Sequence, residues 1–176
     1  MSFRTPYKVL CVCLGNICRS PTAEVVLRHY CDSGQLNVII DSAGTSNYHP
    51  GKAPDLRSQQ HALKRGYDLS NLRARQLLIS DFLDFDLILA MDSENYNNIQ
   101  RLKKTAMTEY GVVKIRAEVA LMSEHDTIYP KQAVPDPYYG DASDFERVLD
   151  QCESSSQAWV EVFQKAKSEV KVKGVV

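Results

Sequence analysis

The amino-acid sequence predicts a single doubly wound α/β domain over residues 1–176. Segments typical of buried strands alternate with segments typical of helices, the pattern of a parallel sheet with helices on both faces. The short apolar runs "YKVLCVC" (7–13) and "FDLILAM" (85–91) are typical of strands covered on both faces. A chain of 176 residues is also long enough to bury a core without disulfide bonds. We therefore expect parallel strands joined by right-handed crossovers.

Strand and helix signals divide the chain into alternating elements. The first helix is expected at 20–30, with Ser20 as its N-cap and Pro21 at its first helical position. The last helix carries an apolar stripe at three- and four-residue steps, which predicts its core-facing side and makes Trp159 a packing residue. That stripe consists of Phe145, Val148, Leu149, Cys152, Trp159, Phe163 and Ala166. Further strands are expected at 37–46 and within 111–122, and further helices at 55–66 and 92–104.

The composition argues against several classes of partner. The 21 basic residues are balanced by 22 acidic ones, so the formal net charge of −1 does not favour nucleic acid. No segment approaches the roughly 20 apolar residues that span a bilayer, and the N-terminus lacks the pattern of a signal peptide. The cysteines number five and three of them crowd one loop, which does not predict a disulfide framework. We therefore expect reduced thiols, a cytoplasmic protein and no membrane partner.

The segment "CLGNICRS" (13–20), between the first strand and the first helix, has the composition of an anion-binding loop. Backbone N–H groups of such a loop can turn towards one anion, and the helix N-terminus adds partial positive charge. Gly15 and Asn16 tolerate the backbone angles that a tight ring requires. Arg19 can bind two oxygens of a phosphoryl group. The predicted phosphate-binding residues are Leu14, Gly15, Asn16, Ile17, Cys18 and Ser20. The glycine patterns of nucleotide sites are absent.

Cys13 stands at the base of this loop and is the candidate nucleophile. N–H donors, the helix dipole and the neighbouring arginine all favour its thiolate, which can attack phosphorus and form a phosphocysteine. Ser20 is placed to donate a hydrogen bond to the sulfur when the sulfur becomes the leaving group. Cys11, Cys31 and Cys152 are interpreted as packing residues, and no histidine or cysteine pair has a spacing that predicts a metal site.

Asp136 is the candidate general acid and base. The leaving oxygen in a phosphoryl transfer needs a proton, which a nearby carboxylic acid can supply before it accepts one from water. Pro135 and Pro137 flank Asp136 and restrict the loop that presents it, although Pro-Asp-Pro alone is also ordinary turn chemistry. Tyr138 and Tyr139 follow directly and can flank an aromatic substrate by stacking.

The motif "CLGNICRSP" between a strand and a helix, together with "VPDPYYG" (134–140), resembles the low-molecular-weight protein tyrosine phosphatase family. Further matching segments lie at 41–55, 73–77 and 81–92. The resemblance implies a four-stranded parallel sheet flanked by helices, a phosphotyrosine-containing protein as substrate, inhibition by phosphate or other oxyanions, and no metal or organic cofactor. By position it implies that Cys13 is the nucleophile, Arg19 the phosphoryl clamp and Asp136 the general acid.

The resemblance also implies roles for residues around the loop. Leu14 and Tyr48 would line the cleft. Asn16 would be braced by serines, here Ser20 and Ser42, and by a histidine whose position in this sequence is occupied by a leucine, Leu72.

Two further points stay open at the level of the sequence. Asp92 begins the helix after the third strand, where it can act as the N-cap or support the acid loop. The segment 105–135 is longer than the pattern of the family.

Three other functions share features of this sequence. Thioredoxin-linked arsenate reductases have a similar loop but need two further cysteines, and there is no cysteine between Cys31 and Cys152. Protein-arginine phosphatases have a threonine where this chain has Ile17, and the apolar Ile17 favours phosphotyrosine. A phosphopeptide-binding module without activity would lack the nucleophile or the acid, and both are present.

Cys18 gives the loop a second thiol, five residues after the first. An accessible thiolate is readily oxidised by peroxide to a sulfenic acid, and a tight ring can bring two cysteines within disulfide distance. The resulting hypothesis is a reversible Cys13–Cys18 disulfide that protects the nucleophile. The alternative is that Cys18 only fills space beneath the helix.

Overall fold

The computed structural model describes residues 6–173 and consists of a parallel sheet with helices on both faces. The sheet has four strands, in the order β2-β1-β3-β4. The strands are β1 (Tyr7–Cys13), β2 (Val38–Gly44), β3 (Leu87–Ala90) and β4 (Glu118–Leu121), and every neighbouring pair is parallel. The helices are α1 (Arg19–Ser33), α2 (Leu56–Lys64), α3 (Asp81–Asp84), α4 (Ser93–Tyr110) and α5 (Ala142–Lys173). The predicted fold class is confirmed.

The strand order places one crevice at the carboxyl end of β1. The chain leaves β1 for β2 on one side and later returns to β3 on the other. Loops that diverge in this way leave a crevice at the sheet edge, which is where open α/β sheets bind ligands. The segment 13–20 follows β1 into this crevice.

Each face of β1 packs into its own hydrophobic cluster, because successive side chains of a strand point to opposite faces. Val9, Cys11 and Cys13 belong to the cluster that includes residues of α1 and α5, whereas Leu10 and Val12 belong to the cluster that includes residues of α4. The continuous apolar run of β1 follows from this burial on both faces.

The first helix begins two residues earlier than predicted, at Arg19 instead of Pro21, and the N-cap assignment of Ser20 is wrong. The N-cap is Cys18, which makes no side-chain capping hydrogen bond. The hydroxyl of Ser20 lies instead 3.0 Å from the sulfur of Cys13. Ser20 therefore contacts the sulfur of Cys13 instead of capping the helix.

The region before β4 differs from its predicted form. Helix α4 continues to Tyr110 and ends at Gly111, whose φ of 86° lies in the left-handed region that favours glycine. A short 3-10 turn (Val112–Lys114) follows, so that β4 occupies only four residues of the range predicted for it. The short helix α3 was not predicted from the sequence.

The packing roles predicted for the last helix and for three cysteines are confirmed. Trp159 is buried, stacks on Phe163 and donates its indole N–H to the carbonyl of Met122 at 2.7 Å. All five cysteines are free and buried, and Cys11, Cys31 and Cys152 lie in one core cluster. Over residues 6–173, no helix combines the length and hydrophobicity that crossing a bilayer requires.

Candidate active site

The loop after β1 is held from outside through its carbonyl groups. Backbone N–H groups reach three of these carbonyls at 2.8 to 2.9 Å: Thr45 donates to Cys13, Ser46 to Leu14, and Asp55 to Ile17. Gly44 allows the close approach of this loop, since a Cβ at that position would lie 2.7 Å from the Leu14 carbonyl oxygen.

The amides of the loop remain available to a ligand. Within residues 6–173, the backbone N–H groups of Leu14, Gly15, Ile17 and Cys18 form no hydrogen bond with the protein. With the carbonyls occupied and the amides free at a helix N-terminus, the loop has the properties of an anion site.

The sulfur of Cys13 lies buried at the base of this loop, with 3% of the residue exposed. It accepts a hydrogen bond from the backbone N–H of Asn16 at 3.3 Å, and the Ser20 hydroxyl lies 3.0 Å away. These two groups can stabilise negative charge on the sulfur.

Asn16 holds the loop in an unusual backbone conformation. Its φ of 56° lies in the left-handed region. Its Nδ2 donates to the hydroxyls of Ser20 and Ser42, both at 2.9 Å, and its Oδ1 accepts the backbone N–H of Arg75 at 2.9 Å. These three bonds offset the cost of the conformation. Leu72, at the position expected for a bracing histidine, packs against the core cluster instead.

Glu24 extends this hydrogen-bonded chain, a role that the sequence does not predict. Its buried carboxylate accepts a hydrogen bond from the Ser42 hydroxyl at 2.6 Å and pairs with Arg28, which also donates to the Ile40 carbonyl at 3.0 Å. Burial raises the pKa of Glu24, although the contacts with Ser42 and Arg28 oppose that effect. A glutamate early in a helix after an anion loop gives no sequence signal for this contact, because its partner comes from another strand.

The guanidinium of Arg19 connects three segments of the chain. Nη1 contacts Asp92 Oδ2 at 2.5 Å and the Val134 carbonyl at 3.4 Å, and Nη2 contacts Asp136 Oδ2 at 2.9 Å. Burial alone would lower the pKa of Arg19, but the negative charges of Cys13, Asp136 and Asp92 outweigh it and hold that pKa above its usual value. Arg19 and Asp136, the two predicted catalytic residues other than Cys13, therefore contact each other directly.

Asp92 is the N-cap of α4, as considered for it, and it also contacts Arg19. Its Oδ1 accepts the backbone N–H of Asn95 at 2.6 Å, which caps α4, and its Oδ2 binds Arg19. A carboxylate that caps one helix thus also fixes the guanidinium beneath the cleft.

A cleft of about 290 Å³ opens above Cys13 and Arg19. Its other lining residues include Leu14, Ile17, Asp136 and the aromatic side chains of Tyr48, His49, Tyr138 and Tyr139. Tyr48 and Tyr139 are largely exposed, at 72% and 97%, and Tyr138 is 38% exposed. The cleft thus combines a charged floor with an aromatic rim. His49 was not predicted to belong to it.

The second thiol of the loop differs from the first in its surroundings. Burial raises the pKa of Cys18 to about 12, in spite of a hydrogen bond with Ser58. Cys18 is therefore a neutral thiol at physiological pH. In the described part of the chain, no group of three or more His, Cys, Asp or Glu residues could hold a metal ion.

Comparison with known proteins identifies the family. Residues 8–171 match the family model of the low molecular weight phosphotyrosine protein phosphatase. The human low molecular weight phosphotyrosine protein phosphatase is 38% identical over 163 residues, covering 92% of this chain and 98% of the human one.

Two solved structures are similar along most of the chain. A protein tyrosine phosphatase from Entamoeba histolytica, with Hepes in its active site, has a TM-score of 0.80 and 35% identity, covering 92% of this chain and 99% of its own. An arginine phosphatase from Drosophila has a TM-score of 0.79 and 29% identity, covering 89% and 97% of the two chains. The chain therefore belongs to the low molecular weight phosphotyrosine protein phosphatase family.

Proposed function

We propose that this phosphatase hydrolyses phosphotyrosine in proteins through a phosphocysteine intermediate on Cys13. The observation that carries the proposal is the meeting of three groups in one cleft: the buried Cys13 sulfur, the Arg19 guanidinium, and the Asp136 carboxyl group 2.9 Å from that guanidinium. Each supplies one requirement of phosphoryl transfer, namely a nucleophile, a phosphoryl-binding cation and a proton donor.

In the first step the Cys13 thiolate attacks phosphorus. The sulfur–phosphorus bond forms while the bond from phosphorus to the phenolic oxygen breaks, and protonated Asp136 gives its proton to that oxygen. Arg19 and the free amides of the loop stabilise the charge on the equatorial oxygens.

In the second step water attacks the phosphocysteine. Asp136, now a carboxylate, accepts a proton from the water as the sulfur–phosphorus bond breaks. The departing thiolate is stabilised by Ser20, whose hydroxyl lies 3.0 Å from the sulfur. Phosphate is then released and Asp136 is again protonated for the next cycle.

The cleft supports phosphotyrosine as the substrate class. The aromatic side chains of Tyr48 and Tyr138 border the cleft and can pack against a phenyl ring, and the apolar Ile17 lines its wall. Phosphate and similar oxyanions would compete for the loop as inhibitors.

We further place the enzyme in the cytoplasm and without a cofactor. Five unpaired cysteines suit a reducing compartment, and each step of the mechanism uses only protein side chains and water.

The test is hydrolysis of p-nitrophenyl phosphate in the presence of a chelator, followed by a comparison of peptides. We expect activity without metal and a preference for phosphotyrosine over phosphoserine and phosphoarginine peptides of the same sequence. A preference for phosphoarginine would contradict the proposed substrate, and loss of activity in chelator would contradict the mechanism.

A further inference from the structure

Arg57, in the first turn of α2, contacts the loop that carries the general acid. Its Nη2 donates to the carbonyl of Tyr138 at 3.0 Å. Its guanidinium also lies over the ring of Phe145, 4.8 Å from the centroid, and 5.8 Å from the centroid of the Tyr138 ring. A planar cation held by hydrogen bonds and by aromatic faces has little freedom to move.

The same guanidinium is bound on its other side by Asp55. Nε and Nη2 of Arg57 contact the two carboxylate oxygens at 3.1 and 2.9 Å. Burial alone would raise the pKa of Asp55, but the hydrogen bonds from Arg57 outweigh it and hold that pKa below its usual value. The pair therefore stays charged at neutral pH.

Asp55 connects this ion pair to the phosphate-binding loop. Its backbone N–H donates to the carbonyl of Ile17 at 2.8 Å. The side chain of Asp55 is 13% exposed and that of Arg57 is 44% exposed, so solvent screens the pair mainly from the side of the arginine.

Tyr138 completes the connection to the acid. Its backbone N–H donates to Asp136 Oδ1 at 3.1 Å, while Arg19 binds Oδ2 of the same carboxyl group. Tyr138 is thus anchored at its carbonyl by Arg57 and orients Asp136 through its N–H. The side chain of Asp136 is itself 46% exposed, so its orientation depends on these contacts more than on packing.

We propose that Arg57 is a positioning residue for proton transfer, which ties the Asp136 loop to the phosphate-binding loop through Asp55 and holds the acid near the leaving oxygen. This role rests on the proposed function of Asp136. Arg57 does not line the cleft around Cys13, so it acts through Asp136.

The test uses the dependence of kcat/KM on the leaving group, because that constant covers the chemical steps up to formation of the phosphocysteine. Phenyl phosphate needs a proton on its leaving oxygen, whereas p-nitrophenyl phosphate needs it much less. In Arg57→Met we expect kcat/KM to fall about tenfold for phenyl phosphate and less than about twofold for p-nitrophenyl phosphate. Arg57→Lys, which keeps the charge and places a single donor nitrogen there instead of the planar guanidinium, should recover part of the loss.

The matched control is Arg147→Met on α5. Arg147 is an exposed arginine that pairs with Asp144, and it should leave both substrates unaffected. Inorganic phosphate should inhibit all variants with constants within about twofold of the unmodified enzyme, since Arg57 does not line the phosphate site.

A double-mutant cycle separates positioning from general support. In an Asp136→Asn background, Arg57→Met should cause no further loss that depends on the leaving group, because the acid is already absent. An equal loss for both substrates, or an undiminished effect in that background, would overturn the role of Arg57. Unmodified enzyme without phosphatase activity would overturn the proposed function itself, and the role of Arg57 with it.

Discussion

The hydroxyl of Ser20 lies 3.0 Å from the sulfur of Cys13 and accepts a hydrogen bond from Asn16 Nδ2 at 2.9 Å. Because the amide of Asn16 occupies a lone pair of the serine oxygen, the serine proton is free to point to the sulfur. The carbonyl of Ala43, at 3.2 Å, is its other acceptor in the structure. A negatively charged sulfur is the stronger acceptor, so Ser20 donates to the thiolate.

Removing this donor should slow the second step most. In Ser20→Ala we expect kcat to fall about tenfold, since a hydrogen bond to a charged group contributes about 1.5 kcal/mol. Rapid-mixing experiments should then show a burst of phenol followed by slow turnover. Ser46→Ala is the control, because it also removes a hydroxyl near the loop, but that hydroxyl donates to the Leu14 carbonyl and not to the sulfur of Cys13. Loss of the burst in Ser20→Ala would place the effect on the first step.

Replacing the acid should produce a loss that depends on the leaving group. In Asp136→Asn, kcat/KM for phenyl phosphate should fall about 100-fold or more, since a general acid contributes on that scale. For esters whose leaving groups are strongly acidic, kcat/KM should fall far less, because such leaving groups depart without a proton. Equal losses across the series would mean that Asp136 only maintains its loop through its contacts with Arg19 and Tyr138.

The contacts of Glu24 predict that it affects the reactivity of Cys13, although the two residues do not share a hydrogen bond. An ionised Glu24 compels Ser42 to donate to it at 2.6 Å, which leaves the Ser42 lone pairs for Asn16. In Glu24→Gln we expect the midpoint pH for alkylation of Cys13 by iodoacetamide to rise by about half a unit. Ser42→Ala should give a similar rise, and the double variant no larger one.

The control for Glu24 is Asp126→Asn, which alters another buried carboxylate. Asp126 accepts hydrogen bonds from Ser154 and Ser155 and does not line the cleft. Asp126→Asn should lower the melting temperature without changing the midpoint pH for alkylation of Cys13. If Glu24→Gln also lowers only the melting temperature, the hydrogen bonds from Glu24 through Ser42 to Asn16 only support the fold.

Oxidation tests the second thiol of the loop. Peroxide converts the Cys13 thiolate to a sulfenic acid, which the Cys18 thiol can attack to form a disulfide and release water. Because burial raises the pKa of Cys18 to about 12, this closure should be faster at alkaline pH. After peroxide and then dithiothreitol, we expect the unmodified enzyme to regain activity and Cys18→Ser to remain largely inactive.

Two results bear on this redox hypothesis directly. Mass spectrometry of the oxidised enzyme should find the loop peptide lighter by two hydrogen atoms. Equal recovery of both proteins, with no such loss of mass, would make Cys18 a packing residue beneath α1.

The sequence predicted what is local, and it failed where a role depends on distant partners. Cys13 and Arg19 share one loop between a strand and a helix, so their pattern was readable directly. Of the two roles predicted for Ser20, the hydrogen bond to the sulfur of Cys13 is present, whereas the capping role is not. Glu24 and Arg57 gave no signal, because their partners Ser42 and Tyr138 come from other segments.

If turnover passes through a phosphoryl group on Cys13, that intermediate can be trapped. Enzyme mixed with excess p-nitrophenyl phosphate and quenched within one turnover should carry one phosphoryl group on the loop peptide, and tandem mass spectrometry should place it on Cys13. Asp136→Asn provides a second arm, since loss of the base should prolong the life of the intermediate. A phosphoryl group on another residue, or none under conditions of active turnover, would rule out Cys13 as the nucleophile.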